Sequence, residues 1–162
     1  MCEVVWSLWR IAIHTDDWNQ MRIMPLFLHD DERLLLLTAR RIWDALLSAA
    51  VVIRGHLEGA ETRLVFDRLM EVAEAHGKSL YAELLALHRD RLARERDKGE
   101  YTFAARRHTV ERIGLPAVRH YRLAQLDREV QAWREQITSK VQVNPELVPL
   151  LLLRLEGDTS YG

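Results

Sequence analysis

The chain has 162 residues, 48% of them apolar and 29% charged, with seven glycines and four prolines. A chain of this length buries roughly two-thirds of the surface its unfolded form exposes, so one real core is expected, and the composition is that of a helix-rich globular protein, not a disordered one. The 23 Lys and Arg against 24 Asp and Glu leave a formal net charge of −1; a strongly charged surface must therefore arise from uneven distribution along the chain.

The single cysteine, Cys2, cannot form an internal disulfide and reads as a reduced, cytoplasmic thiol. Met1 to His14 mixes Glu3 and Arg10 into an apolar run without a basic leader or a small-residue cleavage site, which makes it a strand and not a signal peptide. The longest apolar stretch, Leu147 to Leu153, is strand-sized and falls short of the ~18 residues a membrane span needs. The expectation is a soluble protein with no membrane partner.

Val4 to His14 is rich in Val, Ile and Trp and ends at Thr15-Asp16-Asp17, a strand followed by a turn. Arg22 to Leu28 repeats the pattern, with Pro25 pointing to an edge position or a bulge because it has no amide proton. After the polar turn His29-Asp30-Asp31-Glu32, Arg33 to Leu37 reads as the returning arm of a hairpin. Thr38 is a candidate cap for a helix over 39–54, whose Ile42, Leu46, Ala49, Ala50 and Ile53 recur at helical spacing. Gly55 and Gly59 bracket a short break.

From Ala60 the positions Val65, Leu69, Val72, His76, Leu80, Leu84 and Leu87 step by three and four, the seam of a long helix packed along its length. Gly77 interrupts the seam at about 1 kcal/mol, and Gly99 marks an expected irregularity. Gly114-Leu115-Pro116 stops this helix and starts another, from Pro116 to about Thr138, with Leu123, Leu126, Val130, Trp133 and Ile137 on one face. So short a turn makes the two helices antiparallel neighbours. The second helix runs out near residue 90, so residues 60–89 need another surface, for which the helix at 39–54 is the expected partner. Leu147 to Leu155 reads as a last strand, buried on both faces and joining the N-terminal hairpin, with a short buried helix as the alternative.

Catalytic and metal signals are thin. Gly77-Lys78-Ser79 has the tail of a phosphate-binding loop, but Val72 stands where the leading glycine belongs and the triplet lies inside a helix. The seven histidines form no i,i+4 pair and no H-E-x-x-H. Asp30-Asp31-Glu32 reads as a solvated turn, there is no G-x-S-x-G, and the five tryptophans at 6, 9, 18, 43 and 133 read as packing residues. No cofactor, metal site or catalytic residue is expected.

Charge carries more. Residues 86–122 hold ten Lys or Arg against five acids, a local excess of +5. The candidate nucleic-acid contacts are Arg89, Arg91, Arg94, Arg96, Arg106, Arg107, Arg112, Arg119 and Arg122, since a cationic surface gains from releasing the counterions condensed on phosphates. The competing reading is a solvated helical face with pairs such as Arg91 and Glu95. Tyr101 and Phe103, interleaved with these bases, either stack on nucleobases or fill the seam.

Gly99-Glu-Tyr-Thr-Phe-Ala-Ala-Arg-Arg-His, Glu111-Arg-Ile-Gly-Leu-Pro-Ala-Val-Arg, Trp133-Arg and Pro145-Glu-Leu-Val-Pro-Leu-Leu-Leu-Leu-Arg together resemble the C-terminal region of large prokaryotic SNF2-type helicases. These include the RNA-polymerase-associated SNF2 ATPase and the helicase of the DISARM phage-defence system. Pro25-Leu-Phe-Leu-His-Asp-Asp and Thr38-Ala-Arg-Arg-Ile-Trp-Asp resemble the segment before that region, and the likeness spans about residues 22–157. It implies contact with duplex DNA or docking of a motor onto a partner. The ATPase motifs of the family do not occur here, so no catalytic residue carries over.

The expectation is thus one α+β, predominantly α domain over 1–162. A β-hairpin or meander at 1–37, a helix at 38–54, a long antiparallel helical arm at 60–139 and a strand at 145–155 make it up, with the arm on a small sheet of N- and C-terminal strands. Its expected partners are duplex DNA, a SNF2-type motor or another protein, or a second copy in a homodimer.

Overall fold

The computed structural model describes residues 4–29, 33–48, 54–57 and 59–155. In chain order it contains β1 (Val4–His14), β2 (Asn19–Leu28), α1 (Leu36–Ser48), α2 (Gly59–Glu111), α3 (Pro116–Ser139) and β3 (Asn144–Leu155). The class is α+β, mainly helical, with one three-stranded antiparallel sheet ordered β2-β1-β3. The chain forms two compact units: Met1–Ile13, Gln20–Ala82 and Pro145–Gly162 in one, His14–Asn19 and Glu83–Asn144 in the other.

In the first unit β1 is the central strand, and its sequence explains why. Val5 to Trp9 and Ile11 to Ile13 are all buried, so both faces of the strand are covered and the usual apolar/polar alternation is absent. One face carries Val5 and Trp9 into a cluster with Met24, Leu26, Leu28, Leu69 and Ala73, the last two from α2. The other carries Trp6 and Leu8 to Phe27 and to Ala39 of α1, with Ile42, Trp43 and Leu46 packed around them. Helices therefore cover opposite faces of the sheet. Each large apolar side chain sealed in this way contributes roughly 1.5–3 kcal/mol of burial.

The core tryptophans keep partners for their polar ends, as a buried N–H requires. Trp6 Nε1 donates to the Ala39 carbonyl at 2.9 Å, and Trp9 Nε1 donates to Ser7 Oγ at 2.8 Å, which accounts for a serine only 1% exposed. Trp6 stacks on Trp43 with centroids 6.0 Å apart, and Trp9 on Phe66 at 5.9 Å. Gly77 does not interrupt α2. It is buried where the helix meets β1 and β2, and a Cβ there would stand 3.2 Å from Ile11 Cδ1. The glycine permits a close approach of helix to sheet.

Several expectations change here. α2 from Val65 to Leu80 buries its seam on the sheet and not on α1, because β1 offers a wide apolar face that a 13-residue helix cannot match. The hairpin is β1–β2; Arg33 to Leu37 is no strand, only Leu34 forms an isolated bridge to Leu28, and Leu36 already opens α1. Thr38 sits inside α1, where Ala39 N–H bonds to the Leu35 carbonyl, so it is not the cap. α1 is described as far as Ser48, and the rest of the expected helix lies outside the described residues apart from Arg54, which belongs to no helix. β3 begins at Asn144 and is half-exposed, an edge strand covered less fully than its apolar run implies. Pro25 does stand on an edge strand. Cys2 and Asp30-Asp31-Glu32 lie outside the described residues.

In the second unit α2 from Glu83 onward and α3 form an antiparallel hairpin. The last turn of α2 tightens, with Arg112 and Ile113 amides donating to the Thr109 and Val110 carbonyls, and Pro116 opens α3 at a position where no amide proton is needed. Leu84, Leu92, Leu126 and Ile137 are buried in this unit. α2 is unbroken at Gly99, contrary to the expected irregularity. The indole of Trp133 lies against that backbone so closely that a Cβ would fall 2.1 Å from Cζ2. Phe103 also meets this indole, with ring centroids 5.3 Å apart and the planes tilted by 53°.

Candidate nucleic-acid interface

The nine candidate arginines all lie in the second unit, and their surroundings divide them. Arg106 pairs with Glu129 at 2.6 Å and Arg107 with Asp127, both across the hairpin. Their charges are committed to holding α3 against α2. Arg134 makes the same kind of bond in the opposite direction, to Glu100 at 3.1 Å. Arg91 is engaged on three sides, by Asp17 at 3.6 Å, Glu95 at 3.9 Å and the face of Trp18 at 4.9 Å. Arg96 lies 3.9 Å from its neighbour Asp97, both well exposed, a contact that contributes little in water.

The remaining arginines are differently placed. Arg89, Arg94 and Arg112 are exposed and pair with no acid among the described residues. Arg119 is half-buried and donates to the Ile113 carbonyl at 3.3 Å, which closes the turn between the helices. Arg122 is exposed and reaches only Gln125, at 3.5 Å. Arg112, Arg119 and Arg122 thus gather at the turn end of the hairpin, and the first carboxylate of α3, Asp127, is already bound to Arg107. The excess charge expected over 86–122 is partly cancelled by acids of α3 that lie beyond that window in sequence.

The turn also exposes apolar side chains: Leu115 is 68% exposed, Val118 43% and Tyr121 62%. Of the two aromatics interleaved with the bases, Phe103 fills the seam, whereas Tyr101 is exposed to solvent.

At the other end of the hairpin stands a polar cluster that no local pattern announces. The β1–β2 turn brings Asp17 and Trp18 against α2. Lys140 Nζ bonds Asp17 at 2.9 Å and Glu95 at 2.8 Å, and His88, 1% exposed, stacks on Trp18 at 4.9 Å with its Nε2 2.7 Å from the Lys140 carbonyl. The bond from Lys140 holds the Asp17 carboxyl below the ordinary carboxylate value, and the bonds to Glu95 and Asp17 raise Lys140 above that of a free lysine. Residues 17 and 140 are so far apart in sequence that only the fold reveals the pair.

The described residues include two shallow recesses. One, of about 180 Å³ within the first unit, is lined by Ser7, Trp9, Phe66 and residues 149–152 of β3; the other, on α3, by Gln131, Arg134, Glu135, Thr138, Ser139 and Gln142. Ser7 Oγ accepts from Trp9, and Thr138 and Ser139 donate to the Arg134 and Gln136 carbonyls within α3. Ser79 of the Gly77-Lys78-Ser79 triplet likewise donates to the His76 carbonyl within α2. Among the described residues no group of three or more His, Cys, Asp or Glu is placed to hold a metal ion, and no helix is long and apolar enough to cross a membrane.

Compared with models of known protein families, with curated proteins and with solved structures, the chain matches none.

Proposed function

We propose that this chain is an accessory, non-catalytic, cytoplasmic module that binds nucleic acid through the turn end of the helical hairpin. The carrying observation is the separation of its arginines into paired and unpaired sets: Arg112 and Arg122 are exposed and free of carboxylates among the described residues, whereas Arg106 and Arg107 are bound to acids of α3. Unpaired surface cations release phosphate counterions on binding; paired ones must first give up a partner. The resemblance to the C-terminal region of SNF2-type helicases supports the same reading and supplies a setting, in which the module serves a motor that acts on duplex DNA, as in phage defence.

Fluorescence anisotropy of a labelled oligonucleotide against the full chain tests it. Affinity should fall steeply with salt, and Arg112→Glu with Arg122→Glu should weaken binding by at least about tenfold and flatten the logarithmic salt slope by roughly 2. Arg106→Ala with Arg107→Ala should change it far less. Undetectable or salt-insensitive binding rejects the proposal.

A second reading is a helical protein-interaction or dimerisation module, which also suits docking onto a motor. It is favoured by apolar side chains left in solvent on α2, Leu64 at 72% and Leu87 at 43% exposed. A monomer at high concentration that captures no partner would count against it.

A further inference from the structure

The proposed interface has side chains that a duplex cannot use. Around the hairpin turn, Leu115, Val118 and Tyr121 are exposed beside Arg112, Arg119 and Arg122. Phosphates satisfy the arginines. They offer nothing to an apolar or aromatic face, and in an intact duplex the faces of the bases are occupied by stacking on one another. An exposed tyrosine among cations gains most from a strand whose bases are free, because every base presents a π-face and stacking is indifferent to sequence.

Position supports this. Tyr121 projects from α3 one turn beyond Val118 and next to Arg122, so an apolar surface, a ring and a guanidinium follow one another along the outer side of the helix. From Pro116 to Leu126 this helix has no carboxylate, so nothing along its first three turns repels a phosphate chain. Buried Leu126, and Trp133 fitted against Gly99, already hold the hairpin together, which leaves Tyr121 without a packing duty.

We infer that the hairpin turn takes single-stranded nucleic acid, or the unpaired strand at a junction, with Tyr121 stacking on a base and Arg112 and Arg122 on the flanking phosphates. This rests on the nucleic-acid reading and narrows it from duplex to unpaired strand.

The test compares a labelled single strand of about 15 nucleotides with the duplex of the same sequence. Measurements use wild type, Tyr121→Ala and Tyr121→Phe, with circular dichroism to confirm that each keeps its helix. The single strand should bind more tightly than the duplex. Tyr121→Ala should weaken single-strand binding by roughly tenfold while leaving duplex binding within a factor of about two, and Tyr121→Phe should restore it. Equal or tighter duplex binding, or an alanine variant that binds the single strand as wild type does, overturns the inference and leaves the broader reading standing. Absence of binding to either probe overturns both.

Discussion

Most of the buried apolar side chains belong to the sheet unit: β1 alone buries Val5, Trp6, Leu8, Trp9, Ile11, Ala12 and Ile13, while the hairpin from Glu83 to Asn144 buries Leu84, Leu92, Leu126 and Ile137. The sheet unit covers its central strand on both faces and is held by area removed from water. The hairpin has one narrow seam, a single indole fitted against a glycine, and a series of cross-helix ion pairs at its margins. A two-helix pairing cannot hide a second face. Its outer surfaces stay in solvent, and that is where cations and aromatic rings remain free to meet another molecule.

The contrast can be broken most directly in the core. Trp9→Ala should cost about 3–5 kcal/mol, seen as a lowered unfolding midpoint in urea, because the indole is 1% exposed and its loss also strips Ser7 of its bond. A cost below about 1 kcal/mol would mean that the sheet is not sealed as described.

The two helix glycines sharpen the comparison at a smaller scale. Gly99→Ala would place its Cβ 2.1 Å from the Trp133 ring, a rigid neighbour that must move as a whole, so a loss of about 1–3 kcal/mol is expected. Gly77→Ala would set its Cβ 3.2 Å from the end of the Ile11 side chain, which can yield by a few tenths of an ångström. The ~1 kcal/mol gained in helix propensity should then offset the crowding and leave stability nearly unchanged. Chemical denaturation of both variants decides this; similar losses at the two sites would contradict the difference in their neighbours.

Smaller still is the effect of the cross-helix pairs. Arg106→Ala and Arg107→Ala should each lower stability by no more than about 1 kcal/mol, since both arginines and their acids are substantially exposed. A larger loss would show that the hairpin depends on its charges and not on its seam.

How far the sequence anticipates this arrangement follows from the range of the signals involved. Helix periodicity, the Gly114-Leu115-Pro116 stop and the β-branched run of β1 are local, and they place α2, α3 and β1 within a few residues of their observed ends. Which surface covers the seam at Val65 to Leu80 is a long-range choice: β1, buried on both sides, resembles an ordinary apolar run until both helices are seen against it. The candidate arginines met the same limit. Arg106 and Arg112 look equivalent in sequence, and only the return of α3 sets Glu129 beside the first and leaves the second open. Tyr101 and Phe103, two residues apart, face solvent and seam because ~100° per residue sets them about 200° apart around the helix, on opposite faces.

The smallest expected effect concerns pH and lies at the far end of the hairpin from the turn. Asp17 titrates below its ordinary value of 3.8 because Lys140 bonds to it in the folded state. Its contribution is therefore complete above 3.8 and is lost as pH falls through the lower folded value. Lys140, raised above 10.5, contributes fully below that pH and loses its contribution as pH rises through the higher folded value. Between these limits the cluster should be insensitive to pH. Asp17→Asn removes the acid-side dependence, so the stability difference between wild type and this variant, followed by thermal melting from pH 5 downward, should shrink below pH 3.8. A difference that stays constant through that range would mean that the β1–β2 turn is held by the Trp18–His88 stack, with Asp17 adding nothing of its own.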